Sequence, residues 1–114
     1  MMSLAANPPM VSVIIPVYNQ EKFIDNCIES LKKQTIGFDS IQMLLINDGS
    51  SDESLSICQK LANQYDNVVL LNQENKGVSA ARNAGIKRAD GKYLFFLDLS
   101  YFRIYNEATN FDIL

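Results

Sequence analysis

An α/β fold with a parallel sheet and helices on both faces is what this 114-residue sequence predicts, on three observations. Apolar runs of strand length alternate with segments of helical period, in the order β-α-β-α-β-α-β. The connections are short, and strands joined through helices lie parallel with right-handed crossovers. Three runs stop abruptly at polar residues: Val11–Val17 at Tyr18-Asn19, Ile41–Ile46 at Asn47-Asp48-Gly49-Ser50, and Tyr93–Leu97 at Asp98. In a parallel sheet these stops share the carboxyl edge, where open α/β sheets take ligands.

Residues 1–9, with Asn7-Pro8-Pro9, read as a flexible lead-in. The first strand, Val11–Val17, is apolar almost throughout, as burial on both faces requires. Helical period follows from Glu21 to Gln34, with Ile24, Cys27, Ile28 and Leu31 at i, i+3, i+4 and i+7. Gly37 closes that unit, and Ile41–Ile46 is the second strand. Ser50 and Glu53 have the spacing of a capping box for a second helix ending near Tyr65. Its apolar stripe is Leu55, Cys58, Leu61, Ala62 and Tyr65.

Val68–Leu71 is a short third strand and Asn75-Lys76-Gly77 a turn. Val78–Ala89 is a third helix whose Ala and Gly content suits close packing. Asp90-Gly91 then turns the chain into the fourth strand, Tyr93–Leu97. The predicted spatial order is 3-2-1-4, with a ligand crevice between strands one and four, where the connection reverses direction. Residues 99–114 show neither cap nor period and carry no predicted element. The expected plan is thus a lead-in over 1–9, a ligand-binding unit over 10–98 and a divergent tail over 99–114.

Composition narrows the function. The content of 47% hydrophobic and 20% charged residues is that of an ordinary globular protein. A net charge of −3 argues against nucleic acid or an acidic membrane as partner. With no histidine, a Ser-His-Asp triad, a Cys-His dyad and a His-based zinc site are all excluded within this sequence. Acid–base chemistry is left to carboxylates, Lys, Tyr, Cys or water. Cys27 and Cys58 lack CxxC spacing and fall on apolar helix stripes, which points to buried thiols in a reducing compartment. No apolar stretch reaches about 18 residues, and Met1–Pro9 has no signal-peptide pattern, so a cytoplasmic location is expected, with the inner membrane face reached through partners.

The strand-end residues carry the chemistry. Asp48, placed after a strand and before a helix, can accept a base N–H or a ribose hydroxyl; alone, it reads as readily as a turn residue. Tyr18 offers a stacking face for a nucleobase, or packs over the first helix. Pro16 stiffens the strand exit. Arg82, one turn after Gly77, suits a phosphate, or is a solvated helix residue. Asp98 can hold a divalent cation against a diphosphate, with Ser100 a weak neutral ligand beside it. The absence of GxGxxG and of GxxxxGK[ST] makes a dinucleotide dehydrogenase and a P-loop NTPase poor fits.

Four strings occur in order: Ser12-Val13-Ile14-Ile15-Pro16-Val17-Tyr18-Asn19, Asn47-Asp48-Gly49-Ser50-Ser51-Asp52, Gly77-Val78-Ser79-Ala80-Ala81-Arg82-Asn83-Ala84-Gly85 and Gly91-Lys92-Tyr93-Leu94-Phe95-Phe96-Leu97-Asp98. Together they resemble the GT-A glycosyltransferases of family 2, over roughly residues 10–98. The resemblance implies a Rossmann-like, nucleotide-diphospho-sugar transferase half. It implies transfer of a sugar from a nucleotide-diphosphate donor, a UDP-sugar first, to a glycan or lipid-linked sugar. Pro16, Val17, Tyr18 and Asn19 would lie at the nucleobase, Asp48 would bond it, and Arg82 would lie near the phosphates. Asp98 matches the first position of the family's Asp-x-Asp motif for Mg²⁺ or Mn²⁺.

Two departures qualify these expectations. Ser100 stands at the second acidic position and Tyr101 at a further one, which weakens the metal site. The family's second half, with its acceptor site and carboxylate base, has no counterpart here, so no catalytic residue is assigned in this chain. The alternative function is a non-catalytic nucleotide-binding or interaction module that has lost its metal. The exposed edge of the fourth strand invites self-association.

Overall fold

The computed structural model describes residues 8–104 of the chain. Most of the expected lead-in and the tail beyond 104 lie outside the described residues. The elements run β1 (Val11–Val17), α1 (Ile24–Lys32), β2 (Ile41–Asp48), α2 (Ser54–Gln64), β3 (Val68–Gln73), α3 (Val78–Arg88), β4 (Tyr93–Phe96) and the one-turn α4 (Tyr101–Ile104), with a 3₁₀ turn at Phe38–Ser40 before β2. All strand pairs are parallel, and the sheet order is β3-β2-β1-β4. That is the order expected from the sequence.

Two apolar layers sandwich the sheet. On one face Val13, Ile15 and Val17 of β1, with Met43 and Leu45 of β2, pack against Ile24, Cys27, Ile28 and Leu31 of α1 and Cys58 and Leu61 of α2. On the other face Ile14, Leu44 and Ile46 pack against Ala81 of α3. Each aliphatic side chain taken fully out of water stabilises the fold by about 1.5–3 kcal/mol, so the continuous burial of β1 and β2 accounts for their central places. Gly85 lets α3 approach closely: a Cβ there would lie 2.6 Å from Ile14 Cγ2 and 3.1 Å from Ile46 Cδ1.

The thiols of Cys27 and Cys58 are free and fully buried, as their stripes indicate. Burial pushes the Cys58 thiol up to about 12, helped by the charge of Asp52. Burial, then the neighbouring Cys58, raises Cys27 further. Neither is a nucleophile at neutral pH.

Several boundaries differ from the sequence expectation, each for a tertiary reason. β2 runs on to Asp48 because Asn47 and Asp48 pair with Asn72 and Gln73 of an equally extended β3. α1 begins at Ile24 rather than Glu21. Its would-be first turn is held by the neighbouring loop: Glu21 N–H donates to Asp52 Oδ2 at 3.2 Å, and Glu21 Oε1 accepts Glu53 N–H at 2.8 Å. The expected Ser50–Glu53 capping box does not form. Ser50 Oγ accepts Asn19 N–H at 3.0 Å instead, and Asp52 Oδ1 takes Ser54 N–H at 2.8 Å. β4 ends at Phe96, one residue earlier than expected. After Asp98, Leu99 and Phe102, three residues apart, are both buried against the α1–α2 face, which places α4.

Candidate functional site

The carboxyl edge of the sheet carries a cleft of about 290 Å³. The exit of β1 contributes Pro16, Val17, Tyr18 and Gln20, and β2 contributes Asp48. Asn75, Gly77, Val78 and Arg82 enter from the turn before α3 and its first helical turns, and Asp98 from the end of β4. Five of the residues singled out above for nucleotide binding, together with the candidate metal ligand Asp98, therefore line one hollow.

Asn19 does not line it. With φ of +50° it occupies the left-handed region, and its Oδ1 accepts the N–H groups of Ser51 at 2.8 Å and Asp52 at 3.3 Å. Its side chain joins two loops and lines a separate hollow with Glu21, Lys22, Phe23 and Asp52. Sequence reading missed Gln20, Asn75, Gly77 and Val78 as lining residues. Gly77 and Val78 open the third of the four strings quoted above, whereas Gln20 and Asn75 have no sequence signal beyond proximity to Tyr18 and to that string.

Asp48 is 5% exposed, and its carboxylate is already engaged. Oδ1 accepts Gln73 Nε2 at 3.0 Å and Lys76 N–H at 2.7 Å, while Oδ2 accepts Gly77 N–H at 3.0 Å. Burial pushes this carboxyl up, but the bonds from Gln73, Lys76 and Gly77 outweigh it and leave the pKa below the ordinary 3.8. Asp48 thus fixes the turn before α3 and also lines the cleft. Gly49, at φ of +73°, makes the approach of that turn feasible, because a Cβ would sit 2.8 Å from Asn75 N.

Tyr18 is 47% exposed, its ring free to meet a planar ligand. Arg82 presents a different signal. Its Nε is enclosed and has no hydrogen-bond partner among the described residues. A buried donor left unpaired is costly, and an anion in the cleft would satisfy it.

Asp98 is exposed and accepts Ser100 N–H at 2.9 Å through Oδ1. No cluster of three or more His, Cys, Asp or Glu side chains is placed to hold a metal among the described residues. With Asp48 engaged, Asp98 is the cleft's available carboxylate. The residues therefore fit a divalent cation shared with a diphosphate and water, and do not fit one held by protein alone.

Residues 12–99 match the family model for Glycosyl transferase family 2. The chain belongs to this family. The minor teichoic acid biosynthesis protein GgaB of Bacillus subtilis (strain 168) is 50% identical over 88 residues, which cover 76% of this chain and 10% of GgaB. The crystal structure of S. aureus TarS 1-349 in complex with UDP-GlcNAc superposes with a TM-score of 0.70 at 33% identity, covering 79% of this chain and 26% of that one. The mannosyltransferase PcManGT from Pyrobaculum calidifontis, at 23% identity, has the same fold, with a TM-score of 0.72 over 82% of this chain and 28% of its own. This family 2 chain thus has the GT-A sheet, and it spans a tenth of GgaB and about a quarter of the TarS chain. No helix among its described residues is long and apolar enough to cross a membrane.

Proposed function

We propose that this family 2 chain binds the donor of a glycosyltransferase reaction, a nucleotide-diphosphate sugar and first of all a UDP-sugar, in the cleft at the carboxyl edge. The observation that carries the reading is the gathering of Tyr18, Asp48, Arg82 and Asp98 around one cleft from four separate parts of the chain. The similarity to a TarS structure containing UDP-GlcNAc supports it.

In this reading Tyr18 stacks on the base and Asp48 bonds the nucleoside with the capacity its three N–H donors leave. Arg82 turns its unpartnered Nε–H to a phosphate oxygen, near the N-terminus of α3, whose dipole favours the same charge. Asp98 would hold a divalent cation together with the diphosphate, and that cation would stabilise charge on the leaving group. Transfer by direct displacement at the anomeric carbon also needs a carboxylate to take the acceptor's proton. Three N–H donors hold the Asp48 carboxylate and lower its basicity, so we assign binding and orientation of the donor to this chain, and no base. The acceptor we propose is a glycan or lipid-linked sugar. The two free buried thiols favour a reducing, cytoplasmic setting.

The test is calorimetry of the chain with UDP and with NAD. UDP is expected to bind more tightly, and Arg82→Ala to weaken it about tenfold or more, the scale of a charge-assisted hydrogen bond. Tighter binding of NAD, or indifference to Arg82→Ala, would overturn the reading.

Ser100, standing where the family's motif has a second acid, favours one other reading: a nucleotide-binding module without turnover. Donor hydrolysis or transfer that depends on Mn²⁺ and vanishes in Asp98→Ala separates the enzyme from that module.

A further inference from the structure

Gln20 lines the cleft, and its side-chain oxygen is enclosed with no hydrogen-bond donor among the described residues. Its backbone is firmly placed. Gln20 N–H donates to Ser54 Oγ at 2.8 Å, and its carbonyl accepts Phe23 N–H at 2.9 Å. Ser54 is fully buried, and on either side Asn19 and Glu21 are bonded to the same α2 entry. An amide oxygen held in place and shut off from donors is costly to the protein alone. A donor arriving with a ligand would remove that cost.

The position of Gln20 narrows which part of the ligand this is. Ser54 opens α2, which follows β2, so Gln20 leans to the β2 side of the cleft along with Asp48. Asp98 follows β4, on the opposite side of β1. The diphosphate of a nucleotide-diphosphate sugar, esterified at both ends and fully ionised at neutral pH, offers no hydrogen-bond donor, and its charge matches Arg82 and a cation at Asp98. The nucleoside does offer donors: a base ring N–H and the ribose hydroxyls. Asp48 has two donors on one oxygen and one on the other, so it has room for a single further donor.

We infer that Gln20 is a specificity-determining residue whose amide oxygen accepts a hydrogen bond from the nucleoside of the donor, either a base N–H or a ribose hydroxyl. The inference rests on the donor-binding reading above and deepens it. It makes nucleoside recognition a shared task of Asp48 and Gln20.

The experiment measures the affinity of the whole chain and of Gln20→Leu for UDP, inorganic diphosphate, N3-methyluridine diphosphate and 2′,3′-dideoxyuridine diphosphate. Gln20→Met, closer in shape, decides if the Leu variant does not fold. UDP is expected to bind the variant about tenfold more weakly, the scale of one hydrogen bond to an enclosed acceptor, with diphosphate unaffected. The analogue lacking the partner of Gln20 should bind wild type and variant alike, which tells base from ribose. Unchanged UDP affinity overturns the inference, as does an equal loss for diphosphate or an equal loss for both analogues. If the wild type binds no UDP, the donor-binding reading falls too. If Arg82→Ala weakens UDP and Gln20→Leu does not, only the assignment of Gln20 falls.

Discussion

The side-chain oxygen of Asn19 accepts the backbone N–H of Ser51 at 2.8 Å and so ties the exit of β1 to the entry of α2. The same junction is crossed by Asn19 N–H to Ser50 Oγ, Gln20 N–H to Ser54 Oγ and Glu21 N–H to Asp52 Oδ2, with Glu53 N–H returning to Glu21 Oε1. Tyr18 and Gln20 flank Asn19, so this junction sets where both stand in the cleft wall.

Asn19→Ala is therefore expected to act on stability and on binding together. Asn tolerates the left-handed conformation at φ of +50°, whereas Ala there costs about 1–2 kcal/mol before the lost hydrogen bonds are counted. Thermal unfolding should show the loss, and Asn19→Gly should recover the backbone part of it. A glycine variant no more stable than the alanine one would remove the conformational argument.

Asp48 should make stability depend on pH. Its folded pKa lies below the ordinary 3.8, so its bonds stabilise the fold above that value. The stability is lost as pH falls through the lower, folded value. Asp52 has the same sign, with burial raising it and the bonds from Ser54 and Glu21 lowering it further. Asp48→Asn is expected to be less stable than wild type at neutral pH by about 1–3 kcal/mol, the cost of unpaired N–H groups. That gap should narrow below pH 3.8. A gap that stays constant on acid titration would contradict this.

Two glycines should respond unequally to alanine. At Gly91 a Cβ would lie 2.5 Å from Ser12 N, a backbone atom of the central strand β1. Gly91 N–H also donates to Ser12 Oγ, which bonds Gln42, which in turn bonds Asp90. At Gly85 the obstacles are Ile14 and Ile46 side chains. Overpacking costs about 1–3 kcal/mol, and Gly91→Ala should fall at or beyond the top of that range because backbone cannot yield. Denaturant melts of the two variants give the comparison; equal losses would count against it.

Asp98 predicts a metal effect confined to the phosphate end. Mn²⁺ should strengthen UDP binding to wild type, and Asp98→Asn should abolish the increment while leaving metal-free affinity within about twofold. An increment that survives the substitution would assign the cation to other ligands.

β4 forms an edge of the sheet with Tyr93 at 56%, Leu94 at 44% and Phe96 at 46% exposure. Such an edge can pair with a second copy. Sedimentation should show concentration-dependent association that Phe96→Lys reduces. Identical behaviour of wild type and variant at all concentrations would dismiss the edge as the cause.

Much of this protein is local and so legible in the sequence. The continuous apolar runs of β1 and β2 can exist only inside a sheet covered on both faces, and the helix-length segments between them force parallel strands. The central places of β1 and β2 follow from their apolar weight, and the parallel direction of all four strands puts Tyr18, Asp48 and Asp98 on one edge. What the side chains there do was settled only by long-range partners. Asn19 became a junction rather than a lining residue because Ser51 and Asp52 arrive from a distant loop. Ser50 gave up a local cap for a bond across the same junction. Leu99 and Phe102 joined the core on the α1–α2 face, which no local pattern announces. Gln20 and the enclosed Nε of Arg82 have meaning only once the cleft walls stand around them, because whether a polar atom is satisfied depends on its neighbours in space. Periodicity encodes which face a residue turns inward, while hydrogen-bond partners thirty residues away leave no trace in it.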